Sequence, residues 1–310
     1  MQKLKAILLF SGGLDSIIAY KLLQKSKIEI LPVTFVSSFF KAKQAKESIK
    51  SINQSQNLKI INIEEEFLKI VKKPKYGYGK NLNPCIDCHS FMLEKAKRLM
   101  LEKDFDLIAT GEVLGQRPFS QNKEALKRIE KHTKLEGKIL RPLSAKILPK
   151  TQAEKEKLLN PKYLEAISGR SRKKQLALAE KFQIKSIPSP GGGCLLTDPL
   201  YSSKAEKIIS KNPDARPNDF ELIKSGRLFI KKTGFILIGR NHQENLKIKD
   251  LSQKSDRLFE PKNVPGPTGL VRFFKKKDQN LVELCKIKII KHTNKIDKKT
   301  KLELESIKIY

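Results

Sequence analysis

The stretch Ser11-Gly12-Gly13-Leu14-Asp15-Ser16 follows an apolar run, Ala6–Phe10, and precedes apolar residues at helical spacing between Ile17 and Leu23. This order predicts a strand, a glycine turn and a helix. The two glycines let the backbone approach a bulky anion without interference from Cβ atoms. The first turn of the helix then directs its unpaired N–H groups at that anion. We therefore predict a phosphate-binding loop at residues 11–16 and call it the phosphate loop.

The side chains of the phosphate loop indicate how a nucleotide is held. The hydroxyls of Ser11 and Ser16 can donate further hydrogen bonds to phosphate oxygens. Asp15 repels phosphate, so a Mg²⁺ ion between the two is the natural interpretation. The loop lacks the Gly-Lys-Ser/Thr ending of the P-loop of kinases and GTPases. The alternative is an ordinary strand-to-helix turn in which Asp15 or Ser16 caps the helix.

Strand and helix patterns alternate through the first half of the chain. Strands are predicted at residues 28–36, 58–63 and 106–110, and helices at residues 41–54, 65–71 and 86–103. This alternation predicts an α/β domain with a parallel sheet and helices on both faces. Ligands of such sheets lie at the carboxyl ends of the strands. Because residues 35–38 and 110–112 fall at such ends, Phe35 and Gly111 are candidates for nucleotide binding.

The sequence pattern divides the chain into three parts. Residues 1–150 are predicted to form the nucleotide-binding domain, and residues 151–199 a helical connector punctuated by prolines. Residues 200–310 become β-rich, with residues 281–290 as one of the strands, and are predicted to form a smaller basic α+β domain. The connector carries a basic cluster at residues 170–174, which is either a solvated face or an RNA contact.

The charge balance indicates a polyanionic partner. Lys and Arg number 64 against 33 Asp and Glu, which gives 310 residues a net charge of +31. Nucleic acid is the first expectation and an anionic membrane surface a distant second, while a lysine-rich proteome is the alternative explanation. No apolar run is long enough to span a bilayer, and the first strand begins too early for a signal peptide. We expect a cytoplasmic protein, in which grouped cysteines indicate metal binding or catalysis.

Three of the four cysteines lie in segments suited to chemistry. Cys85 and Cys88 form a Cys-x-x-Cys at the start of the long predicted helix, where the helix N-terminus is expected to lower the pKa of a thiol. Cys194 follows the glycine-rich residues 188–193, whose backbone can come close to a sulfur or an anion. Cys285 lies in an apolar segment and is predicted to be part of the core.

Three interpretations of this cysteine set remain open. Three thiolates can bind three irons of a [4Fe–4S] cluster and leave the fourth iron to carry hydrosulfide. They can instead hold zinc, with His89 or water as the fourth ligand. In the third interpretation there is no metal: Cys194 or Cys85 carries a persulfide, and a second cysteine resolves it as a disulfide.

Several segments resemble one known superfamily. The phosphate loop resembles the Ser-Gly-Gly-x-Asp-Ser PP-loop of the ATP pyrophosphatases. Asn83–Cys88 is similar to the Asn-Pro-Cys-x-x-Cys of the tRNA thiouridylases in that superfamily, and Thr110–Gln116 to the Thr-Gly-Glu-x-Leu-Gly-Gln of the 4-thiouridine synthetases. The resemblance covers about residues 5–200. It implies an adenine nucleotide alpha hydrolase-like sheet as the fold of this part of the chain.

The resemblance also implies an activity. ATP adenylates a uridine carbonyl oxygen in tRNA, pyrophosphate and AMP are released, and sulfur replaces the oxygen to give 4-thiouridine or 2-thiouridine. The implied partners are tRNA and a sulfur donor, either sulfide or a cysteine desulfurase persulfide; no membrane is implied, and a homodimer is left open. The implied catalytic residues are Asp15, Cys85, Cys88 and Cys194, of which the three cysteines are the implied metal ligands. The implied ATP-binding residues are Ser11, Gly12, Gly13, Asp15, Ser16, Phe35, Gly111 and Gln116.

Two features set this chain apart from the 4-thiouridine synthetases and keep alternatives in view. The first strand begins near residue 5, without the family's amino-terminal RNA-binding module, so we expect the basic carboxyl-terminal domain to bind RNA instead. Arg117, Arg141 and Lys146 are either solvated charges or phosphate contacts. One alternative function is an amidating or nitrile-forming PP-loop ligase with zinc, which the basic tail disfavours. Another is a non-catalytic RNA-binding protein with a relic nucleotide pocket, which the intact Asp15 and Ser16 disfavour.

Overall fold

The computed structural model describes residues 3–52, 57–187, 193–293 and 303–307. The chain forms two compact units, Met1–Cys194 and Leu195–Tyr310, which we call the amino-terminal unit and the carboxyl-terminal unit.

A five-stranded parallel sheet is the centre of the amino-terminal unit. Its strands are β1 (Lys5–Leu9), β2 (Glu29–Val36), β3 (Lys59–Asn62), β4 (Leu107–Thr110) and β5 (Ile139–Leu140). They lie in the order β3-β2-β1-β4-β5, and every neighbouring pair is parallel. The central strand β1 is covered on both faces, and Ala6, Ile7 and Leu8 are completely buried. This burial explains why the strand is an unbroken apolar run rather than an alternating one.

Seven helices surround or extend this sheet in the described part of the chain. They are α1 (Leu14–Lys25), α2 (Lys43–Ser51), α3 (Glu64–Lys72), α4 (Cys85–Glu102), α5 (Lys123–Thr133), α6 (Gln152–Lys155) and α7 (Lys173–Lys181). Helix α7 packs against α1. Leu159, Leu164 and Ala179, from the segment predicted as a connector, lie in the same hydrophobic core as β1 and α1. That segment is therefore packed into the amino-terminal unit.

The strand order locates a crevice. The chain proceeds from β1 to β2 and β3 on one side of the sheet and places β4 and β5 on the other side. In an open parallel sheet, the loops that follow the two strands at such a reversal separate and leave room for a ligand. Here those loops are the phosphate loop, after β1, and residues 111–116, after β4. The predicted α/β class with a parallel sheet is confirmed.

The carboxyl-terminal unit is an antiparallel sheet with helices. Its elements are α8 (Pro199–Lys211), α9 (Pro217–Leu222), β6 (Arg227–Ile230), β7 (Gly234–Ile238), α10 (His242–Asp250), β8 (Arg257–Pro261), β9 (Gly269–Phe273), α11 (Gln279–His292) and β10 (Leu304–Ile307). The strand order is β10-β8-β9-β7-β6. Helix α11 packs on the sheet through Leu281, Cys285 and Ile289, which contact a core that includes Val271. The predicted α+β class of this part is confirmed.

One predicted element is wrong. Residues 281–290 were expected to form a strand because they are rich in β-branched and other apolar residues, but they lie in helix α11. Asp278 caps this helix by accepting hydrogen bonds from the backbone N–H groups of Asn280 (2.9 Å) and Leu281 (3.4 Å). The helical spacing then turns Leu281, Cys285 and Ile289 towards the sheet, and this packing overrides the local β propensity. Cys285 is completely buried, as predicted.

No helix of the described residues is both long enough and apolar enough to cross a bilayer.

Candidate active site

The phosphate loop is held in place by helix α2. Gly12 has a φ of +79°, in the left-handed region that favours glycine, and a Cβ there would lie 2.6 Å from backbone atoms of Gln44 and Ala45. Its carbonyl oxygen accepts hydrogen bonds from Oγ of Ser48 (2.8 Å) and Nε2 of Gln44 (3.4 Å). The close approach of α2 therefore requires glycine at this position.

The start of helix α1 is open to an anion. Gly13 is the N-cap residue, and no side chain in the described part of the chain caps the helix there. Ser11 and Ser16 hold the loop itself: Oγ of Ser11 accepts from the N–H of Gly13 (3.3 Å), and Oγ of Ser16 donates to the carbonyl of Gly13 (2.8 Å). The first-turn N–H groups of α1 thus remain directed at the crevice, together with the positive end of the helix dipole.

The loop after β4 closes against this helix start. A Cβ on Gly111 would lie 2.7 Å from the backbone nitrogen of Ser16 and 2.9 Å from the carbonyl carbon of Asp15. Gln116 donates a hydrogen bond from Nε2 to Oδ2 of Asp15 (3.1 Å). Both sides of the strand-order reversal therefore meet at the first turn of α1, and Asp15 lies between them.

A third segment joins the same end of the sheet. The N–H of Gly169 donates to the carbonyl of Leu114 (2.7 Å), and Leu114 forms a β-bridge with Ser168. Ser144 Oγ links the two segments, since it accepts from the N–H of Leu114 (3.0 Å) and donates to the carbonyl of Ile167 (2.7 Å). The basic cluster of residues 170–174 begins directly after this segment, so it starts near Gln116.

A buried ionic network lies behind the loop. Glu112 accepts hydrogen bonds from Nε of Arg141 (2.9 Å) and Oγ1 of Thr110 (3.0 Å), and its other oxygen lies 2.6 Å from Nδ1 of His89. Arg141 also pairs with Glu130. Burial acts to raise the pKa of Glu112, but the charge of Arg141 and the contacts with His89 prevail and lower the pKa to about 2. Glu112 is therefore a carboxylate that links α4, β4 and the segment after β5.

The Cys-x-x-Cys begins helix α4, as predicted. Asn83 donates from Nδ2 to Sγ of Cys85 (3.2 Å). Burial nevertheless raises the pKa of the Cys85 thiol, although Asn83 and the charge of Arg117 act in the opposite direction. The expected lowering of the thiol pKa is therefore wrong, because desolvation outweighs the hydrogen bond from Asn83 and the charge of Arg117.

The third cysteine lies near the first two. Burial raises the pKa of Cys88 well above its usual range, and the neighbouring charges of Cys194, Cys85 and Asp87 raise it further. A Coulombic influence of this kind means that the sulfurs of Cys85 and Cys194 each lie near that of Cys88. The residue before Cys194 is also close to the phosphate loop, since a Cβ on Gly193 would lie 3.7 Å from Oε1 of Gln44.

The fit of a metal centre can be tested on the side chains. Over the ranges that the structure describes, no group of three or more His, Cys, Asp and Glu side chains is arranged to hold a metal ion. As placed, the three cysteines do not fit a zinc ion or a [4Fe–4S] cluster. Residues 188–192 of the predicted glycine-rich loop lie outside the described residues.

Comparisons with known proteins agree with this geometry. Residues 2–155 match the family model described as thiamine biosynthesis protein (ThiI). The amino-terminal half of the chain is therefore similar to the PP-loop superfamily of tRNA thiouridylases.

Two curated relatives and one solved structure illustrate the similarity. A probable tRNA sulfurtransferase of Finegoldia magna is 31% identical over 148 residues, which cover 46% of this chain and 36% of the relative. The tRNA-specific 2-thiouridylase MnmA of Leptospira interrogans is 29% identical over 133 residues, covering 36% and 34%. A 4-thiouridine synthetase in an RNA complex with bound ATP has 22% identity and a TM-score of 0.37, covering 58% of this chain and 51% of its own. The chain spans about a third of the length of the curated relatives it matches.

The nucleotide-binding residues predicted from the sequence lie together around the phosphate loop in the structure. Ser11, Gly12, Gly13, Asp15 and Ser16 form one turn, and Gly111 and Gln116 contact it. Phe35 is a buried residue near the carboxyl end of β2. It lies two residues beyond Val33, whose carbonyl accepts from the N–H of Phe10 at the start of the loop (2.8 Å).

The sequence did not indicate which residues support the phosphate loop. Arg141 was a candidate phosphate contact, but it is buried and paired with Glu112 and Glu130. A charged residue within the apolar run Ile139–Leu143 was the available signal of such a buried pair. Gln44 and Ser48 were not singled out, because nothing in a polar helix indicates which side chains will meet a loop 32 to 36 residues away.

Proposed function

We propose that this chain is an ATP-dependent tRNA sulfurtransferase, which adenylates a uridine carbonyl oxygen and replaces that oxygen with sulfur. One observation carries the proposal: a PP-loop and three neighbouring cysteines occupy one compact unit. Gly193, next to Cys194, lies near Gln44, and Gln44 in turn bonds to Gly12 of the loop. An adenylation site and a sulfur-carrying site are the two components that this reaction needs.

ATP would be held at the start of α1. The backbone N–H groups there and the glycines of the loop suit the β- and γ-phosphates, and Asp15 would hold a Mg²⁺ ion that offsets their negative charge. The backbone near Phe35 is the proposed adenine contact. The uridine carbonyl oxygen attacks the α-phosphorus, the bond to the β-phosphate oxygen breaks, and pyrophosphate leaves. Stabilisation of the departing pyrophosphate by the loop is the main catalytic contribution of this half of the site.

The sulfur step can be written with the cysteines alone. The terminal sulfur of a persulfide on one cysteine attacks the activated carbon, and AMP leaves. A second cysteine thiolate then attacks the inner sulfur of the resulting mixed disulfide, which releases thiouridine and leaves a cysteine disulfide. Two equivalents of an external thiol reduce this disulfide to two cysteine thiols and are themselves oxidised to a disulfide, and a cysteine desulfurase persulfide recharges the first cysteine by sulfur exchange. Atoms and electrons balance with these two co-reactants.

Metal analysis separates this route from its alternatives. In an iron-free and zinc-free preparation, the persulfide route predicts that sulfur transfer from a desulfurase persulfide is retained. A requirement for about four irons and four sulfides per chain would replace it with the [4Fe–4S] route, in which sulfide is the donor. A requirement for one zinc would favour the interpretation in which the cysteines hold a zinc ion.

Reconstitution with defined components tests the function itself. The full chain is incubated with unmodified tRNA, ATP, Mg²⁺ and the persulfide donor in the cytoplasmic pH range, and AMP, pyrophosphate and thionucleosides are measured. The proposal predicts AMP and either 4-thiouridine or 2-thiouridine, both dependent on tRNA. AMP formation with a small molecule and no tRNA would favour a ligase. RNA binding without any AMP would favour a relic nucleotide pocket.

A further inference from the structure

An edge of the carboxyl-terminal unit combines aromatic and basic side chains. Nζ of Lys288 lies 4.6 Å from the ring centroid of Phe229, and the ring of His292 stacks on Phe229 with centroids 6.4 Å apart and 26° between the planes. Lys288 and His292 are one turn apart on α11, and Phe229 is on the edge strand β6. We call the set Arg227, Phe229, Lys288, Lys291 and His292 the basic-aromatic platform.

The fold supports this platform from below. Phe229 packs against the core formed by α11 and strands β7 to β9, but it is only half-buried. Arg227 alternates with Leu228 along β6 and so lies on the same face as Phe229, where it is exposed. Lys291 is exposed in the last turn of α11. A half-buried ring fixed by a core and surrounded by cations is a preformed surface that needs little reorganisation to bind.

Within the described residues, the positive charge of the platform is not paired with a carboxylate. No carboxylate of the described residues forms an ion pair with Arg227, Lys288 or Lys291, whereas Lys286 on the same helix pairs with Glu283 (2.9 Å). Burial, together with the charges of Arg227, Lys291 and Lys288, lowers the pKa of His292. The neutral form of the imidazole is therefore favoured, and its ring stacks on Phe229 within a cationic rim.

This combination has the chemistry of a single-stranded nucleic acid site. Such sites pair backbone phosphates with cations and stack bases on aromatic rings. We propose that the basic-aromatic platform binds a single-stranded segment of RNA: a base extends the Phe229–His292 stack, and the flanking phosphates contact Arg227, Lys288 and Lys291. The proposal rests on the proposed function, in which tRNA is the substrate, and assigns that substrate a contact surface in the carboxyl-terminal unit.

The proposed phosphate contacts should depend on the salt concentration, whereas base stacking should not, so the two kinds of contact can be measured separately. The probe is a short fluorescein-labelled oligouridine, and its binding to the full chain is measured by anisotropy over a series of KCl concentrations. The double variant Lys288→Gln and Lys291→Gln should lower the slope of log K against log [KCl] by about 1.4, since each phosphate contact on a single strand contributes about 0.7. Phe229→Leu keeps an apolar side chain on the core, and it should weaken binding about tenfold with the slope unchanged.

A matched control comes from the same unit. Lys207 is exposed on α8 and outside the platform, so Lys207→Gln removes one charge there as Lys291→Gln does in the platform. The control should keep the wild-type slope, whereas Lys291→Gln alone should lower it by about 0.7. Thermal melting of each variant verifies the fold, and His292→Ala provides a second stacking variant if Phe229→Leu unfolds.

Three results would overturn the proposal. Platform variants that bind the probe as Lys207→Gln does would exclude the platform as an RNA site. Failure of the wild-type chain to bind the probe would do the same. Binding of anionic phospholipid vesicles that depends on the platform, with no effect on the oligouridine, would reassign the surface to a membrane. Thionucleoside formation on tRNA by the wild-type chain is measured separately, so the platform can fail while the proposed function stands.

Discussion

Gln116 donates a hydrogen bond from its Nε2 to Oδ2 of Asp15, across 101 residues of sequence. The contact joins the loop after β4 to the first turn of α1, at the point where the strand order reverses. It fixes one carboxylate oxygen of Asp15, and a metal-binding carboxylate is commonly oriented by such a hydrogen bond.

We expect Asp15→Ala to abolish adenylation. The change removes the carboxylate proposed to hold Mg²⁺, so AMP formation should fall by about 10²–10³-fold, the scale seen when one charge-stabilising group is removed. The affinity for tRNA should stay within a few-fold, because Asp15 belongs to the nucleotide site. AMP release and tRNA binding are measured in parallel, with Asp214→Ala, an exposed site in the other unit, as the control. Near-normal AMP formation by the variant would exclude Asp15 from the site.

Gly12 and Gly77 have nearly equal φ angles but differ in how closely other atoms surround them. Alanine variants at the two positions therefore measure the cost of backbone strain with and without crowding. Gly77 has a φ of +75° with no atom within 4 Å of its Cβ position, whereas a Cβ on Gly12 would lie 2.6 Å from α2. Gly77→Ala should lower the free energy of unfolding by about 1–2 kcal/mol, from the left-handed conformation alone. Gly12→Ala should lower it by about 2–5 kcal/mol, because overpacking adds to that strain. Urea unfolding without ATP measures both, and equal losses would show that α2 can move away from the loop.

The fold of the amino-terminal unit follows from local sequence patterns. The apolar run of β1, the glycine turn and the helical spacing of α1 are contiguous, so a single stretch of sequence predicts all three. Helix α11 was missed because its β-branched residues favour a strand locally, whereas packing on the antiparallel sheet and the Asp278 cap favour a helix. The deciding interactions are with residues that are distant in sequence, which a local pattern cannot report.

In the candidate site too, some features follow from local sequence and others depend on tertiary contacts. Residues 11–16 and the Cys-x-x-Cys are recognisable because each is a short motif with its own chemistry. The raised thiol pKa values of Cys85 and Cys88 were not predictable, since they depend on burial that only the tertiary fold creates. The pairing of Arg141 with Glu112 likewise depends on the adjacency of β4 and β5.

The buried carboxylate predicts a dependence of stability on pH. The pKa of Glu112 is about 2 in the folded chain, against about 4.3 in an unfolded one. Because the folded-state pKa is depressed, the stabilisation is fully present above about pH 5 and is lost as the pH falls towards 2. Between about pH 5 and pH 3, this group should contribute a loss of about 2 kcal/mol in the free energy of unfolding.

Two variants test whether Glu112 causes this acid-induced loss of stability. Glu112→Gln should remove this part of the acid-induced loss and should cost about 3–5 kcal/mol at neutral pH, since Arg141 then loses a buried partner. The control is Glu66→Gln, which breaks an ion pair with Lys95 (2.6 Å) at the surface and should cost less than about 1 kcal/mol. Urea unfolding at several pH values measures all three proteins. An acid-induced loss in Glu112→Gln equal to that of the wild type would contradict the assignment.

Serine variants of the cysteines should impair sulfur transfer and leave adenylation intact. We expect at least two of the variants Cys85→Ser, Cys88→Ser and Cys194→Ser to reduce thiouridine formation by about 10²-fold or more, because one cysteine carries the persulfide, a second resolves it, and a hydroxyl can do neither. AMP formation should stay within a few-fold of the wild-type rate, since adenylation depends on the phosphate loop and not on the thiols. Nucleoside mass spectrometry and AMP release, measured on the same reactions, give both rates. Cys285→Ala is the matched control: this thiol is buried against the sheet of the other unit, and its loss should leave both rates unchanged. If a serine variant at position 85, 88 or 194 thiolated tRNA at the wild-type rate, that cysteine would be removed from the sulfur pathway.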